Sequence, residues 1–403
     1  MACCNPAAKS RRVESLAEAN RIPPASLPTV KRREIIALLP TRDGARTQAI
    51  SARWRPLWRS APLNLATRGG GGSVVDEAAV SRILSAHGGP ARRFHVSNLS
   101  LAGLDRWLRS PALDALEELD VSYSAAASPK PVMPPSALRF SSTLRVARLA
   151  CCVFPDMAAG QIHFPNLRHL TLRFVTVSEH SLHAMLAGCP ALNSFVLKYS
   201  YGFRRLRIDS QSLSCLAVYF ADPRGETEEA MLQDLILENT PSLERLFQCG
   251  PYGDYVVSVS VLSAPKLKML GRLSDTMGRL QLGATVFQTY ATDTKDKWAD
   301  TTRDRTECLD LHLKRIVLGF YQGEPPHVAV VSFFLMNASV LESMKLVGPS
   351  YRVQNKKWIQ NQRKKLQIGN RASSAAQIEF AIFDCFSCSK DIHEVSDPFE
   401  CVL

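Results

Sequence analysis

Length, composition and charge limit what this chain can be. It has 403 residues, 46% of them hydrophobic, which exceeds the usual single domain and predicts several units or a repeat array. No apolar run reaches the ~18 residues of a membrane span, so we expect no membrane-spanning helix. The start of the chain lacks the apolar core of a signal peptide, and the eleven cysteines are too sparse for a disulfide scaffold. These features predict an intracellular protein, in the nucleus or the cytoplasm.

The net charge of +12 is unevenly distributed. Residues 1–65 hold 12 Lys or Arg against 4 Asp or Glu, so 12 minus 4, or +8, lies there. Basic clusters at Lys31–Arg33 and Arg363–Lys365 could act in nuclear import or nucleic-acid contact, although such triplets are common on solvated surfaces. Nucleic-acid binding is therefore an alternative that rests on charge alone.

The first 65 residues divide into a tail and a segment rich in signals. Residues 1–24 lack periodicity and are predicted to be a flexible tail. In residues 25–65, Pro40 ends one helical segment and Thr41 or Asp43 can cap the next. Apolar residues then recur at helical spacing at Ala45, Ala49, Ile50, Trp54, Leu57 and Trp58. The pattern predicts an amphipathic helix, kinked or ended at Pro56, whose tryptophans pack on the next domain or on a partner.

A linker and a helix follow in residues 66–93. The glycine run at 69–72 is permissive in backbone conformation and predicts a hinge. Residues 73–86 have helical apolar spacing.

Residues 94–300 repeat one pattern, LxxLxL. The first leucine of each copy of the pattern, which we call its anchor, is Leu116, Leu144, Leu167, Leu192, Leu213, Leu243 or Leu267. The anchors advance 151 residues in six steps, about 25 per step, which is the period of leucine-rich repeats. Each repeat supplies a strand and a covering segment, as residues 178–186 do with the spacing of a short helix. The sequence predicts an α/β fold, an irregular solenoid with a strand and a helix per repeat.

The pattern continues beyond residue 300. Leu313 and Leu341 begin two further strand segments that are 28 residues apart, with an apolar helix predicted at 328–336 between them. A basic helix is predicted at 356–366 and a closing strand at 377–383. The region therefore continues the repeat array and closes it with a more polar terminal unit.

Several phrases of the sequence resemble one known family. The LLPTRD turn, the ARTQAISxRW helix and the PLWRSAPLNL exit resemble the F-box of plant proteins, and FPNLRHLTL and GCPALNSFVL resemble the irregular repeats that follow it. The segments CLDLHLKRIVLGFY, VVSFFLMNASVLESMKL and WIQNQRKKL resemble the FBD domain of the same proteins. The resemblance implies a short helical F-box at 25–65, leucine-rich repeats at 94–300 and an FBD domain at 301–403 that continues and caps the solenoid.

The resemblance also implies a function. Such a chain is a non-catalytic substrate-recognition subunit of an SCF-type E3 ubiquitin ligase, whose F-box binds a Skp-type adaptor of the cullin complex and whose repeats bind an unknown target protein. The implied adaptor-binding residues are Leu27, Pro28, Ile35, Ile36, Leu38, Leu39, Pro40, Ile50, Trp54, Leu57 and Trp58.

The front of the F-box departs from the family pattern. Residues 29–33 read TVKRR, where relatives have an acidic pair followed by aliphatic residues. Charge buried against an adaptor at this turn would cost several kcal/mol unless paired. A repeat scaffold with a degenerate F-box and no ligase role is therefore the first alternative.

Catalytic and metal-binding chemistry finds little support. Cys385 and Cys388, near His393 and Cys401, lack the paired four-ligand spacing of a structural zinc site. A histidine cluster is formed by His163, His169, His180 and His183, and it has no partner thiol or carboxylate pattern. The motifs GxSxG, HExxH and GxxxxGK[ST] are absent from the sequence. We therefore predict no catalytic residue, no metal and no cofactor.

Overall fold

A computed structural model describes most of the chain in two compact units. The described residues are 35–36, 39, 41–50, 54–67, 75–97, 103–156, 162–220, 231–249, 257–273, 277–288 and 312–382. The first unit comprises residues 1–95 and 109–116, and the second comprises 96–108 and 117–403.

The first unit combines short helices with two strands. Its elements are α1 (Thr41–Ile50), α2 (Trp54–Ser60), β1 (Leu63–Ala66), α3 (Glu77–Ala86) and the start of β2 (Ala91–Ser97). β1 pairs with β2 in parallel, and α1 packs against β1. The helix expected at 73–86 begins only at Glu77, because the Asp76 carboxylate accepts a hydrogen bond from the Ala79 N–H at 2.6 Å and caps it.

The amphipathic helix predicted across Ala45 to Trp58 is a pair of helices. α1 ends at Ile50, α2 begins at Trp54, and the two pack against each other. Pro56 lies in the first turn of α2, where its missing N–H has no intrahelical partner to lose. The proline therefore begins the second helix instead of ending the first, and the expected kink at Pro56 was wrong.

The second unit is built on one long parallel sheet. Its strands are β3 (Glu118–Ser122), β4 (Val146–Ala150), β5 (His169–Arg173), β6 (Ser194–Lys198), β8 (Cys215–Tyr219), β10 (Arg245–Cys249), β12 (Met269–Leu273), β15 (Arg315–Leu318), β16 (Ser343–Gly348) and β17 (Gln377–Ile382), which adjoin in that order. Every adjoining pair is parallel. This is the sheet of the predicted leucine-rich-repeat solenoid.

Leucine anchors and a backbone ladder hold the repeats together. The anchor residues Leu116, Leu144, Leu167, Leu192, Leu213, Leu243 and Leu267 are all at most 3% exposed. Just before each strand, one carbonyl accepts hydrogen bonds from the next repeat, as the Arg145 carbonyl does from the N–H groups of Arg168 and His169. We call this ladder the carbonyl spine, and its acceptors are Glu117, Arg145, Arg168, Asn193, Ser214, Glu244, Lys268, Lys314 and Glu342.

The covering segments differ between repeats. α5 (Glu179–Ala187) covers one repeat as expected, after the short α4 (Leu104–Leu108) and a 3-10 turn at Pro135–Phe140. The middle repeats instead return through strands, in a second sheet of β7 (Arg205–Asp209), β9 (Asp234–Asn239), β11 (Val257–Val261), β13 (Met277–Leu282) and β14 (Thr285–Gln288). All neighbours in this sheet are parallel except β13 and β14. The strand-plus-helix repeat is thus joined by a strand-plus-strand repeat in the same solenoid.

The last described region returns to helical cover. α6 (Pro325–Asn337) lies between β15 and β16, and α7 (Ser350–Val353) and α8 (Lys356–Lys365) lie between β16 and β17. The predicted helices at 328–336 and 356–366 and the strand at 377–383 are confirmed within a few residues. No helix in the described ranges is both long and apolar enough to cross a membrane.

Candidate protein-interaction surfaces

The helix pair of the first unit is organised around Trp58. This side chain is only 9% exposed, and its ring meets that of His87 edge-on with centroids 5.3 Å apart. A Cβ placed on Gly44 would lie 2.4 Å from the Trp58 ring, so α1 approaches the indole more closely than any other residue type would allow. His87 donates from Nε2 to the Ala61 carbonyl at 2.9 Å, which fixes the ring behind the indole.

The predicted adaptor-binding residues divide by exposure. Ile36, Leu57 and Trp58 are buried, at 1%, 6% and 9% exposure. Trp54 and Leu39 are half-buried, and Ile35 is 41% exposed. Ile50 ends α1, and its side chain lies outside the described part, as do Leu27, Pro28, Leu38 and Pro40. The described members therefore divide into a buried group and a second group that solvent reaches.

The second unit presents the face of its long sheet that points away from the leucine core. Alternate residues along each strand lie on this face, since strand side chains alternate between faces. Near its centre Val196, Cys215, Ala217 and Phe247 form a cluster that is at most 8% exposed, with Tyr219 packed against it. Solvent therefore barely reaches this part of the face, and a partner would contact the residues around it.

A row of aromatic side chains follows the ends of three neighbouring strands. Phe174 comes directly after β5, Tyr199 directly after β6, and Tyr219 ends β8. The rings of Phe174 and Tyr199 are stacked with centroids 5.1 Å apart, and those of Tyr199 and Tyr219 are 6.2 Å apart. The Lys198 ammonium lies 4.7 Å from the centroid of the Tyr219 ring, a cation–π contact. We call Phe174, Tyr199 and Tyr219 the aromatic row; Phe174 is 38% exposed.

The backbone at the aromatic row is left-handed. Cys151, Phe174 and Tyr199 occupy the same position in three successive repeats, with φ of 57°, 54° and 50°. Each donates its N–H to the next strand, to the carbonyls of Arg173, Lys198 and Tyr219 respectively, at 2.8–2.9 Å. Bulky residues adopt this conformation only when the surrounding structure imposes it, and such sites concentrate at functional surfaces.

Sequence reasoning missed the aromatic row. Cys, Phe and Tyr have no preference for left-handed backbone, so residue type gave no sign of the conformation. The one available signal was the recurrence of an aromatic residue directly after the LxxLxL strand, at Phe174 and again at Tyr199.

The histidine cluster has structural partners. The His183 Nε2 accepts a hydrogen bond from the Arg207 N–H at 3.0 Å, and a Glu179 carboxylate oxygen accepts from the N–H groups of Arg204 and Arg205. Both side chains of α5 thereby cover an edge of β7. Burial lowers the pKa of His183, which favours the neutral acceptor form, and burial together with Arg148 and Arg168 lowers the pKa of His169. His163 and His180 are exposed.

Two of the buried cysteines, Cys152 and Cys189, are poor nucleophiles. Cys151, Cys152, Cys189 and Cys215 are buried and have free thiols. Burial raises the pKa of Cys152 to about 12 and that of Cys189 to about 12, so these thiols stay protonated at neutral pH. Among the described residues no three His, Cys, Asp or Glu side chains are arranged to hold a metal ion. Cys385, Cys388, His393 and Cys401 lie outside those residues.

The parallel sheet and the buried leucine anchors define a leucine-rich-repeat protein. Comparison with known families makes the class more specific. The sequence model described as "FBD-associated F-box protein At5g56370, LRR repeats" matches residues 104–300, and the FBD model matches residues 303–346. The chain therefore carries leucine-rich repeats of the FBD-associated F-box type and an FBD domain.

Relatives from Arabidopsis thaliana agree with this family. The putative F-box/LRR-repeat protein At5g02700 is 25% identical over 40% of this chain and 35% of its own length. The putative F-box/FBD/LRR-repeat protein At4g00315 is 26% identical over 55% of this chain and 52% of its own length. The putative FBD-associated F-box protein At3g50710 is 26% identical over 62% of each. The chain thus matches between about a third and three fifths of the length of these relatives.

Proposed function

We propose that this chain is the non-catalytic substrate-recognition subunit of an SCF-type E3 ubiquitin ligase. Residues 25–65 would be the F-box that binds a Skp-type adaptor of the cullin complex, and the repeats would bind the target protein. Similarity to F-box proteins with leucine-rich repeats and an FBD domain supports this proposal, together with the presence of two compact units that each carry solvent-accessible apolar side chains. The mechanism is proximity: a bound target has a high effective concentration next to the ubiquitin-transfer machinery.

The observation that carries the adaptor assignment is the divided exposure of the predicted adaptor-binding residues. Ile35 and Trp54 reach solvent, whereas Ile36, Leu57 and Trp58 are buried. Partly exposed apolar side chains on a rigid support lose little conformational freedom on binding. We therefore assign adaptor contact to Ile35, Leu39 and Trp54, and a supporting role to the buried three.

Pull-down of the full chain with a purified Skp-type adaptor tests this assignment. Ile35→Lys and Trp54→Ala should each weaken adaptor binding by about 2 kcal/mol, or roughly thirtyfold. Val132→Lys, on a side chain that is 59% exposed elsewhere on the chain, is the matched control and should bind as the unchanged chain does. Adaptor binding would be refuted if the unchanged chain retained no more adaptor than the Trp54→Ala variant does.

The aromatic row is the proposed contact for the target. Phe174→Asn and Tyr199→Asn remove the rings while keeping a residue that tolerates left-handed backbone, so the sheet should persist. Affinity purification with mass spectrometry should then show loss of target with retention of adaptor. Loss of both would indicate a folding defect, and loss of neither would remove the aromatic row from target binding.

A second candidate function is a repeat scaffold without ligase activity. It is favoured by the basic sequence TVKRR at residues 29–33, where the family has acidic and aliphatic residues. This scaffold would bind the same target through its repeats but would not retain the adaptor. The adaptor pull-down therefore separates the two candidates directly.

A further inference from the structure

An open cleft lies at the carboxyl ends of β15, β16 and β17, apart from the aromatic row. Its volume is about 400 Å³, and its walls include Phe320, Gln322, Pro349, Ser350, Tyr351 and Ile382. The volume is in the range of pockets that hold a small ligand or a few side chains.

The cleft exposes apolar surface. Tyr351 is 68% exposed and Ile382 is 42% exposed, two of the seven large hydrophobic residues that are exposed in the described ranges. Phe320 has a left-handed backbone with φ of 55°, held between the hydrogen bonds from Gly319 N–H to the Leu273 carbonyl and from Tyr321 N–H to the Val347 carbonyl. An apolar side chain inserted here would remove this surface from water, at about 25 cal/mol for each Å² that it covers.

The segment that begins with the wall residues Ser350 and Tyr351 is strongly cationic. Residues 350–371 contain seven Lys or Arg and no Asp or Glu. Arg352 lies at the rim: it donates from Nη1 to the Gln322 carbonyl, and its guanidinium carbon is 5.7 Å from the centroid of the Tyr351 ring. α7, which carries Tyr351, packs against α8, whose Lys356 and Lys357 are exposed.

We propose that this cleft binds an acidic peptide segment of a partner protein. One large apolar side chain of the segment would enter between Phe320, Tyr351 and Ile382. Flanking Asp or Glu side chains would pair with Arg352 and with the lysines of α8. The apolar cleft sets the position of the peptide, and the cationic residues next to it select the charge of the peptide and speed its association.

A peptide fits this surface better than a nucleic acid does. Single-stranded nucleic acids bind along grooves in which several aromatic rings stack on successive bases and cations follow the backbone. Here the cleft has two rings, of which only Tyr351 is largely exposed and Phe320 is half-buried; the other wall residues include Ile382 and Pro349 and the polar Gln322 and Ser350. The arrangement offers one apolar position flanked by positive charge.

This inference goes beyond the proposed ligase function and does not depend on it. The residues concerned belong to the second unit, and the adaptor contacts proposed above belong to the first. Peptide binding at the cleft can therefore be present whether or not the chain retains an adaptor.

Fluorescence anisotropy of the full chain with labelled peptides provides the test. The first probe is a Leu-Phe pair with four glutamates on each side; the second replaces Leu-Phe by Ser-Ser, and the third replaces the glutamates by lysines. The variants are Tyr351→Ala and the double change Lys356→Glu with Lys357→Glu. The matched controls are Leu262→Ala and Lys266→Glu, at exposed positions elsewhere on the same unit.

We expect the first probe to bind, the Ser-Ser probe to bind about tenfold more weakly, and the lysine probe to show no binding. Each cleft variant should weaken the first probe about tenfold, and the controls should change affinity less than twofold. Higher salt should reduce affinity in part, since exposed charges are screened within about 8 Å at physiological ionic strength.

Three results would overturn the proposal. The first is no binding of the Leu-Phe probe at millimolar concentration. The second is equal binding of the Leu-Phe and Ser-Ser probes, or an equal effect of control and cleft variants, which would show charge attraction without a site. The third is tighter binding of a labelled single-stranded oligonucleotide that the same cleft variants abolish, which would assign the cleft to nucleic acid.

Discussion

Gly44→Ala tests whether the contact between α1 and Trp58 holds the first unit together. In a solvent-exposed helix, replacing glycine by alanine stabilises the helix by about 1 kcal/mol, because alanine has the higher helix propensity. At position 44 the added methyl group would lie 2.4 Å from the Trp58 ring, closer than real Cβ contacts come. The His87 ring packs edge-on against the indole, which restricts its movement away from the methyl group. Overpacking of this kind costs about 1–3 kcal/mol, so the net effect is a destabilisation of about 1 kcal/mol.

Hydrogen exchange followed by mass spectrometry measures this effect within the unit concerned. A loss of about 1 kcal/mol corresponds to roughly fivefold faster exchange of protected amides in α2 and β1. Gly369→Ala is the matched control, since no atom lies within 4 Å of a Cβ at that position. The Trp58→Leu background removes the aromatic ring, and there Gly44→Ala should slow exchange. Slower exchange from Gly44→Ala in the unchanged background would refute the reasoning.

Three further predictions concern the second unit. Glu179→Ala removes the acceptor for two N–H groups at the edge of β7, and it should speed their exchange about fivefold while β6 is unaffected. Folding lowers the pKa of His183, so below about pH 6.5 the unfolded chain binds the proton more readily than the folded chain does. The protection of β7 amides from hydrogen exchange should therefore decrease as the pH falls. His183→Gln should make this protection less dependent on pH. Tyr321→Phe removes the hydroxyl that donates a hydrogen bond to the buried Gln362 side chain at 3.0 Å. The variant should destabilise α8 by about 1–3 kcal/mol, measured by hydrogen exchange. Combining Tyr321→Phe with Gln362→Met should recover part of this loss of stability.

The sheet was predictable because its signal is local and strong. Each LxxLxL anchor is a leucine that the structure buries, such as Leu116 and Leu243, both 0% exposed. A period of about 25 residues then requires stacking, since a single repeat has no second surface against which to bury its leucines. The strand positions followed from these two facts without tertiary information.

The covering segments were harder to predict because they pack on neighbours that are distant in sequence. RLRID at 205–209 and VSVSV at 257–261 alternate with the two-residue period of strands, and this signal was available. What the pattern lacked was the partner: β7 pairs with β9 and β11 with β13, about 20 to 30 residues further along the chain. Expecting a helix in every repeat therefore missed the second sheet.

The helix pair shows a different limit of sequence reasoning. Spacing alone placed Ala45 to Trp58 on one helix face, because heptad-like apolar positions look alike in one helix or in two that pack together. Gly44 was the overlooked sign, since a glycine inside a helical pattern often marks a close approach by another element. Which apolar side chains solvent can reach, such as Ile35 and the half-buried Trp54, depends on the packing of the whole unit.

The carbonyl spine links neighbouring strands, so binding at one end of the sheet can stabilise strands further along it. It runs from Glu117 to Glu342 without a break where the repeat region gives way to the FBD segment, because Lys268 accepts from the N–H groups of Lys314 and Arg315. In a linear array each repeat draws its stability from its immediate neighbours. A ligand held at β15 to β17 would therefore protect the nearest strands most and more distant ones progressively less, with β3 last. Binding in the cleft would therefore protect backbone amides of the sheet from hydrogen exchange, most strongly at β15 to β17 and least at β3.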